Sequence, residues 1–427
     1  MSHILSDFKS FLDSSPTSWH AVKQLGNRLA ICGFMPLNED EKWELDLGKK
    51  YFVERGGSLC AFTLPSTLPT QAIILASHTD SPALKLKPNP SFRKENIDLF
   101  GVEVYGSPLL SSWLNRDLYL AGRVVVTNVH GTQEERLVSL DDSILFIPQL
   151  AIHLDREVNE KGLLLNKQEH LCPILGLSSH AIDGSNTLEK LLRQHISFHT
   201  LLSFELFLVP IEQARFIGNH NEMIASYRLD NLGSAHAAVT AIASTKKTSK
   251  DTLHMAVFLD NEEVGASNQE SAASPFLNDL LARISYSLKI DQESQLILKN
   301  QSLCVSIDMA HAFNPNYPTK LDPQHQPLLG GGIVVKYNAN QRYATNALSA
   351  ATIIQACKKL DITHQSFVSR SDVPCGSTIG PTIAEKTGIS TVDIGCPQLS
   401  MHSIREVIAS QDYIDMTHLL TYLLQGG

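Results

Sequence analysis

The sequence predicts an α/β protein with a mostly parallel central sheet flanked by helices, interrupted by an inserted, mainly β domain. Two observations support this fold class. Short apolar runs alternate with segments of helical periodicity near both ends of the chain, as strands and helices do in such folds. Between them lie β-rich segments with scattered turn glycines. We expect one discontinuous domain over 1–88 and 230–427, and an inserted domain over 89–229.

The first segment begins with two amphipathic helices. Apolar residues recur at helical spacing over 8–12 and again over 19–29, with a break near Pro16. Residues 71–77 then form a short apolar run that ends at His78, which is typical of a buried strand. These are the opening elements of an alternating α/β domain.

The sequence pattern of the inserted stretch differs from that of the segments on either side. Its segments 118–126 and 203–209 are β-rich, and we expect one amphipathic helix around 148–158. From residue 230 the alternation of strands and helices returns. The elements expected there are helices at 231–245, 347–360 and 413–424, and strands at 252–259, 303–307 and 389–394.

Composition and charge exclude several classes of protein. The 427 residues are 43% hydrophobic and 19% charged, close to an ordinary globular chain, and the net charge of −9 argues against a nucleic-acid binder. The seven cysteines are scattered without a CxxC pair, so we expect neither a disulfide framework nor a thiolate zinc site. We expect no signal peptide, no membrane span, and a cytoplasmic location.

Acidic residues and histidines cluster after the predicted strands. Because ligands of open α/β sheets bind beyond the carboxyl ends of the strands, this distribution indicates a site at one edge of the sheet. The residues concerned are His78 and Asp80 after 71–77, Asp230 after 224–229, Glu262 and Glu263 after 252–259, Asp308 after 303–307, and His402 after 389–394.

Imidazoles and carboxylates in this number suit zinc. Two metals need a shared carboxylate and two further ligands each, and the pattern supplies such a set, with Asp230 as the bridge. The five predicted ligands are His78, Asp230, Glu263, Asp308 and His402.

Two further carboxylates take supporting roles in this interpretation. Glu262 is left beside the metals, where a carboxylate acts as a general base towards a metal-bound water. Asp80, two residues after His78, can orient the imidazole. Each residue alone has a simpler explanation: a polar strand end for His78, a helix N-cap for Asp308, a loop position for His402.

The same residues occur in blocks that resemble the aspartyl aminopeptidase family of dizinc metalloaminopeptidases. The similarity covers nearly the whole chain, and the blocks follow the family's order. They are 77–82 (SHTDSP), 228–231 (RLDN), 260–265 (DNEEVG), 306–312 (SIDMAHA), 336–343 (KYNANQRY), 374–381 (PCGSTIGP) and 401–406 (MHSIRE).

The resemblance implies a role for each site residue. His78 and Asp308 would bind one zinc, and Glu263 and His402 the other, with Asp230 bridging; cobalt or manganese can substitute. Glu262 would be the general base for a zinc-activated water, with Asp80 orienting His78. Lys336 would bind the side-chain carboxylate of an N-terminal Asp or Glu, against the alternative of a solvent-facing lysine. His153 would reach a neighbouring subunit's active site, against the alternative of a half-buried histidine on the predicted helix.

The resemblance also implies an architecture and a reaction. The discontinuous domain would be the zinc aminopeptidase, the inserted domain would mediate dimerisation, and the dimers would form a dodecamer that acts on peptides. Neither nucleic acid nor membrane is expected as a partner. Three alternatives stay open: a dizinc aminopeptidase of broad or neutral specificity, a deacylase or carboxypeptidase on the same scaffold, and a catalytically silent assembly protein.

Overall fold

The chain forms two compact units in a computed structural model, which describes residues 3–177, 187–245 and 250–425. The first unit comprises the described residues up to Asp80, then Ala214–Met401, and those from Glu406 onward. The second unit comprises Ser81–Gln213 and the short segment His402–Arg405.

The α-helices of the described residues follow the predicted rhythm. They are α1 (His3–Asp13), α2 (Ser18–Ile31), α3 (Val158–Lys161), α4 (Thr187–His195), α5 (Leu229–Ser244), α6 (Phe276–Ser287), α7 (Gln292–Gln301), α8 (Ala347–Leu360), α9 (Ile379–Thr387) and α10 (Ser410–Leu424). The helices predicted at the start of the chain, after residue 230, at 347–360 and at the end of the chain are confirmed. Within these described segments, none of the helices has the length and apolar character that crossing a bilayer requires.

The strands in the described part of the chain fall into three sheets. The strands before the second unit are β1 (Met35–Leu37), β2 (Lys50–Arg55), β3 (Ser58–Thr63) and β4 (Gln71–His78). Those of the second unit are β5 (Ala83–Lys94), β6 (Ile97–Tyr105), β7 (Asp117–Thr127), β8 (Gln133–Phe146), β9 (Ile174–Leu177) and β10 (Thr200–Pro210). Those after it are β11 (Arg215–Ile217), β12 (Met223–Ser226), β13 (Thr252–Leu259), β14 (Leu303–Ile307), β15 (Ala310–His311), β16 (Ile333–Lys336), β17 (His364–Phe367), β18 (Ser390–Gly395), β19 (Pro397–Leu399) and β20 (Glu406–Ala409).

The first unit is built on a nine-stranded sheet with the order β1-β2-β3-β13-β4-β14-β18-β16-β17. The four central strands, β13, β4, β14 and β18, run parallel to one another. Side chains alternate between its two faces, so that Leu75 belongs to one apolar cluster and its neighbours Ile74 and Ala76 to another. A parallel sheet with both faces covered confirms the predicted α/β fold.

The helices cover the two faces of this sheet with different sets of side chains. One cluster includes Phe8 and Phe11 of α1, much of α5, and Leu419 and Leu420 of α10. The other includes Phe276 of α6 and residues of α9. The carboxyl ends of the central strands therefore lie at the edge of a sheet that has an apolar core on each face.

The helix predicted around 148–158 is wrong. The segment forms turns, and its only helical part is the single turn of α3. Its large apolar residues, Leu150, Ile152 and Leu154, alternate along the chain instead of forming a helical stripe, and they are 58%, 45% and 74% exposed. Without an apolar face to pack on the unit, such a segment has little to stabilise a helix.

The second unit is a closed six-stranded barrel with the order β10-β5-β6-β9-β8-β7. The two predicted β-rich segments lie in β7 and β10, which pair antiparallel with Leu206 opposite Gly122. A side chain at Gly122 would overlap the carbonyl group of Glu205, so the close approach of these strands requires glycine there. The mainly β character predicted for the inserted stretch is confirmed.

Candidate metal centre

The carboxyl ends of three parallel strands lie at one edge of the sheet. β4 ends at His78, and it pairs in parallel with both β13 and β14. β13 ends immediately before Asp260, and β14 ends immediately before Asp308. No helix begins at Asp308, whose N–H donates to the carbonyl oxygen of Ile394 at 2.9 Å, so the N-cap alternative does not hold. The polar side chains that follow these strands therefore lie at the carboxyl edge of the sheet, as the sequence predicts.

Four of the five predicted ligands lie together around His78. Its Nε2 atom lies 3.3 Å from Oδ1 of Asp230 and 3.6 Å from Oδ1 of Asp308. One potential ligand atom from each of His78, Asp230 and Glu263 lies within 4.8 Å of the other two. His78 and Asp230 are buried, at 1% and 3% exposure. This is the spacing of side chains that surround a common ion.

Asp80 contacts both the histidine and the acidic loop after β13. Nδ1 of His78 lies 3.1 Å from the carbonyl oxygen of Asp80 and 3.3 Å from its Oδ1. The two carboxylate oxygens of Asp80 also accept the backbone N–H groups of Glu262 and Glu263, each at 3.1 Å. Asp80 therefore fixes the backbone of the two adjacent glutamates as well as facing His78.

Burial and mutual repulsion dominate the electrostatics of the cluster. Burial raises the pKa of Glu262 to about 8, and it raises the pKa of Glu263 well above the usual range, with Asp230 adding to the effect. Burial opposes protonation of His78, but hydrogen bonds to Asp230, Asp308 and Asp80 outweigh it and raise its pKa well above the ordinary value. Buried carboxylates so close together must either bind protons or share a cation.

The donor set fits zinc. It combines an imidazole with carboxylates, the hard and borderline ligands that zinc takes in proteins. The raised pKa values of the carboxyl groups also favour a bound cation. A divalent cation would neutralise the repulsion between the carboxylates that otherwise requires protons.

Lys336 lies against this cluster and does not point into solvent. It is the last residue of β16 and is only 2% exposed. Its Nζ atom lies 3.4 Å from Oδ2 of Asp308 and 5.5 Å from the centre of the Tyr343 ring. A buried ammonium group thus lies beside one of the predicted ligands.

The remaining two predicted site residues belong to the second unit. Nδ1 of His402 lies 3.1 Å from the carbonyl oxygen of Ser107, and Leu109 N donates to the carbonyl oxygen of His402 at 2.8 Å. His153 is exposed in the turns of the segment 148–158, so it is not half-buried on a helix. The roles predicted for His402 and His153 stay predictions.

Comparison with known proteins decides the family. The model of the aminopeptidase I zinc metalloprotease family, M18, matches residues 11–423. The chain belongs to the M18 family. M18 proteins are zinc aminopeptidases, so the predicted family and enzyme class, a metalloaminopeptidase, are confirmed.

Curated M18 relatives match over almost the full chain. A probable M18 family aminopeptidase 2 of Pseudomonas aeruginosa is 42% identical over 420 residues, which cover 97% of this chain and 95% of the relative. A probable aspartyl aminopeptidase of Ricinus communis is 38% identical, covering 95% of this chain and 92% of the relative.

Solved structures of M18 proteins share the fold. A chain in the cryo-EM structure of the Ape4 and Nbr1 complex is 35% identical, with a TM-score of 0.93 over 99% of this chain and 85% of that one. The S. cerevisiae mApe1 dodecamer, 24% identical, has a TM-score of 0.83 over 99% of this chain and 96% of that one, and it supports the fold alone.

The M18 fold brings residues to the centre that sequence reasoning gave no role. Glu406 is 2% exposed, and its Oε2 atom accepts the backbone N–H of Asp230 at 3.0 Å. Arg228 donates to the carbonyl oxygen of Thr79 at 2.5 Å. Arg228 and Glu406 lie inside the family blocks 228–231 and 401–406, and this position was the signal in the sequence that could have found them. Their contacts join segments far apart in the chain, and no local sequence pattern indicates such pairs.

Proposed function

We propose that this M18 aminopeptidase removes N-terminal Asp or Glu from peptides, using two zinc ions per subunit and Glu262 as general base. The observation that supports it best is the buried Lys336 ammonium 3.4 Å from Asp308, at the rim of a cluster of buried carboxylates. A metal centre with a fixed cation beside it suits a substrate whose first residue carries a negative side chain.

Five residues would hold the metals. His78 and Asp308 would bind one zinc, Glu263 and His402 the other, and Asp230 both; cobalt or manganese can take their place. When bound, zinc supplies a Lewis acid that polarises a carbonyl group and lowers the pKa of water. A further residue fixes the proposed ligands. Glu406 accepts the N–H of Asp230 and so holds the backbone of the bridging residue.

Glu262 would take the proton of the attacking water and return it to the leaving amine. Burial disfavours the charged form of this carboxylate, and a poorly solvated carboxylate is a stronger base than one in water. Asp80 holds the backbone of Glu262 and Glu263 through its two carboxylate oxygens, so the base and a ligand are aimed by one side chain. Asp80 would also orient His78.

Lys336 would bind the side-chain carboxylate of the first residue of the substrate. Its ammonium group has three donors, and Asp308 engages one side of it. An apolar group beside the lysine includes Val334, Tyr343 and Phe367. It lowers the local dielectric constant, which strengthens a charge pair formed there. A neutral first residue would leave the ammonium group without that partner.

Assembly would complete the site. The second unit would mediate dimerisation, and His153 of one subunit would stabilise the oxyanion formed in its neighbour, within a dodecamer built from dimers. The exposed Leu150, Ile152 and Leu154 beside His153 support an interface there, because several large apolar side chains close together are costly to leave in water. We expect these assemblies in the cytoplasm.

The test is a panel of peptides with N-terminal Asp, Glu, Leu and Lys, assayed with chelator and after adding back zinc, cobalt or manganese. We expect chelation to abolish turnover, zinc to restore it, and kcat/KM for Asp and Glu to exceed that for Leu by at least about 10-fold. Equal values for Leu and Asp would favour a broad aminopeptidase instead. No metal-dependent turnover of any peptide would favour a silent assembly protein or another acyl substrate.

A further inference from the structure

Thr79, the residue directly after β4, is bound through all of its polar groups. Its N–H donates to the carbonyl oxygen of Leu259 at 2.9 Å. Its hydroxyl donates to the carbonyl oxygen of Gly57 at 2.6 Å. Its own carbonyl oxygen accepts from Nη2 of Arg228 at 2.5 Å. The side chain is completely buried, so one residue ties the end of β4 to three other segments.

The segments that Thr79 joins lead into the metal centre. β13, which ends at Leu259, continues into Glu262 and Glu263, and Arg228 lies two residues before Asp230. Thr79 itself lies between His78, the predicted ligand at the end of β4, and Asp80, the predicted orienting carboxylate. A shift of this residue would therefore move the base and several ligands relative to one another.

The turn before β3 accepts the Thr79 hydroxyl and, together with Ser58 at the start of β3, is itself bound to both ends of the acidic loop. Gly57 N donates to Oε2 of Glu270 at 2.8 Å. The Ser58 hydroxyl accepts the N–H of Asp260 at 2.7 Å and donates to the carbonyl oxygen of Glu270 at 2.5 Å. The loop that begins at Asp260 and ends at Glu270 carries the proposed base, so the turn holds that loop at its two ends.

Gly57 leaves no room for a larger residue in this arrangement. A Cβ atom at this position would overlap the carboxylate of Asp260. That carboxylate is 3% exposed and is fixed by the Ser18 hydroxyl at 3.0 Å, so it cannot move aside into solvent. The turn, Asp260 and Thr79 therefore pack as one unit behind the acidic loop.

We propose that Thr79 is a positioning residue for the aminopeptidase reaction, acting through its hydroxyl on Gly57 and Ser58 at the start of β3. The hydroxyl sets the placement of the β4 end relative to the loop of Glu262, and the inference rests on the proposed role of Glu262 as base. Displacing a catalytic group by about 1 Å can lower a rate about 100-fold without changing the groups that bind substrate. The effect of losing the hydroxyl should therefore fall on kcat.

The test compares Thr79→Val, which keeps the shape but removes the hydroxyl, with Thr79→Ser, which keeps the hydroxyl. We expect Thr79→Val to lower kcat about 10- to 100-fold, with KM within about threefold and the zinc content per subunit unchanged. Thr79→Ser should stay within about threefold of wild type in kcat. The assay uses whichever N-terminal residue the wild-type enzyme turns over fastest, so it does not depend on acidic preference.

A second pair keeps the proposal testable if Thr79→Val fails to fold. Gly57→Ala should lower kcat by a similar factor, whereas Gly176→Ala, in the barrel with no atom within 4 Å of the new methyl, should not. Wild-type kcat in Thr79→Val or in Gly57→Ala, equal losses in Thr79→Val and Thr79→Ser, or loss of zinc in place of kcat would each overturn it. Full activity of Glu262→Gln would instead show that Glu262 is not the base. The kcat values of Thr79→Val and Thr79→Ser would still decide separately whether the Thr79 hydroxyl affects turnover.

Discussion

Two buried histidines of the first unit, His78 and His236, have opposite electrostatic surroundings. His78 faces three aspartates, and the hydrogen bonds that it donates to them raise its pKa despite burial. His236 faces one, Asp7, whose Oδ2 lies 3.0 Å from its Nε2. Asp7 also accepts from Arg28 at 2.7 Å. Burial lowers the pKa of His236, while hydrogen bonds from His236 and Arg28 hold the pKa of Asp7 well below its usual range.

The two clusters differ in whether the chain balances its own charges. Around His236 the acid is paired with Arg28, and the imidazole accepts from the Tyr413 hydroxyl at 2.5 Å, so every partner is supplied internally. Phe8 stacks on Tyr413 at 4.1 Å and encloses the group. Around His78 the acids outnumber the bases. A balanced buried cluster stabilises a fold, whereas an unbalanced one implies an ion from outside.

Removing His78 should have the largest effect. We expect His78→Ala to lose zinc and to lower kcat/KM by at least about 10³-fold, because a proposed ligand and the metal that it would hold are lost together. Zinc per subunit, measured by atomic absorption, and kcat/KM on the best peptide are the readouts. Full zinc content with full activity in His78→Ala would break the distinction between the two clusters.

The matched change at the other histidine should affect stability alone. His236→Ala removes the partner of the Tyr413 hydroxyl and leaves a cavity beside Phe8 and Phe11, at a cost of roughly 2–4 kcal/mol. We expect the Tm to fall by about 2–6 °C, with zinc content unchanged and kcat within about twofold. An activity loss as large as that of His78→Ala, at unchanged Tm, would assign His236 to the reaction.

Lys336 tests whether a cation beside the unbalanced cluster sets specificity. We expect Lys336→Ala to lower kcat/KM for an N-terminal Asp peptide about 10- to 100-fold, and that for Leu less than about threefold. Lys359→Ala, at an exposed position of α8, is the control and should change neither value. Equal losses for Asp and Leu in Lys336→Ala would argue against a role in specificity.

The pH dependence of stability should differ slightly between wild type and His236→Ala. Because the folded pKa of His236 is below the unfolded value of about 6.5, the unfolded chain binds more protons as the pH falls below that value. Stability from this group is therefore present above about pH 6.5 and is lost on acidification. The Tm of zinc-loaded His236→Ala should fall less steeply than that of wild type between pH 6.5 and 5.5; identical slopes would mean that His236 does not titrate differently in the two states.

The sequence was sufficient for the α/β fold and for the strand ends that carry the acids. Those inferences rest on local periodicity and on the rule that ligands gather beyond parallel strands. The sequence did not reveal the Asp7–His236 pair, whose members are 229 residues apart, or the contacts of Thr79, which depend on the pairing of β4 with β13. The helix expected around 148–158 was wrong because apolar content alone cannot tell a buried stripe from an exposed surface.

One measurement tests the central claim that the His78 cluster holds zinc for a reaction in which Glu262 moves the proton. Zinc per subunit and kcat are determined on the same preparation of Glu262→Gln, which keeps the size of the side chain and removes its basicity. We expect two zinc ions per subunit, as in wild type, with kcat lowered by at least about 10³-fold. A Glu262→Gln enzyme with wild-type turnover would contradict the account.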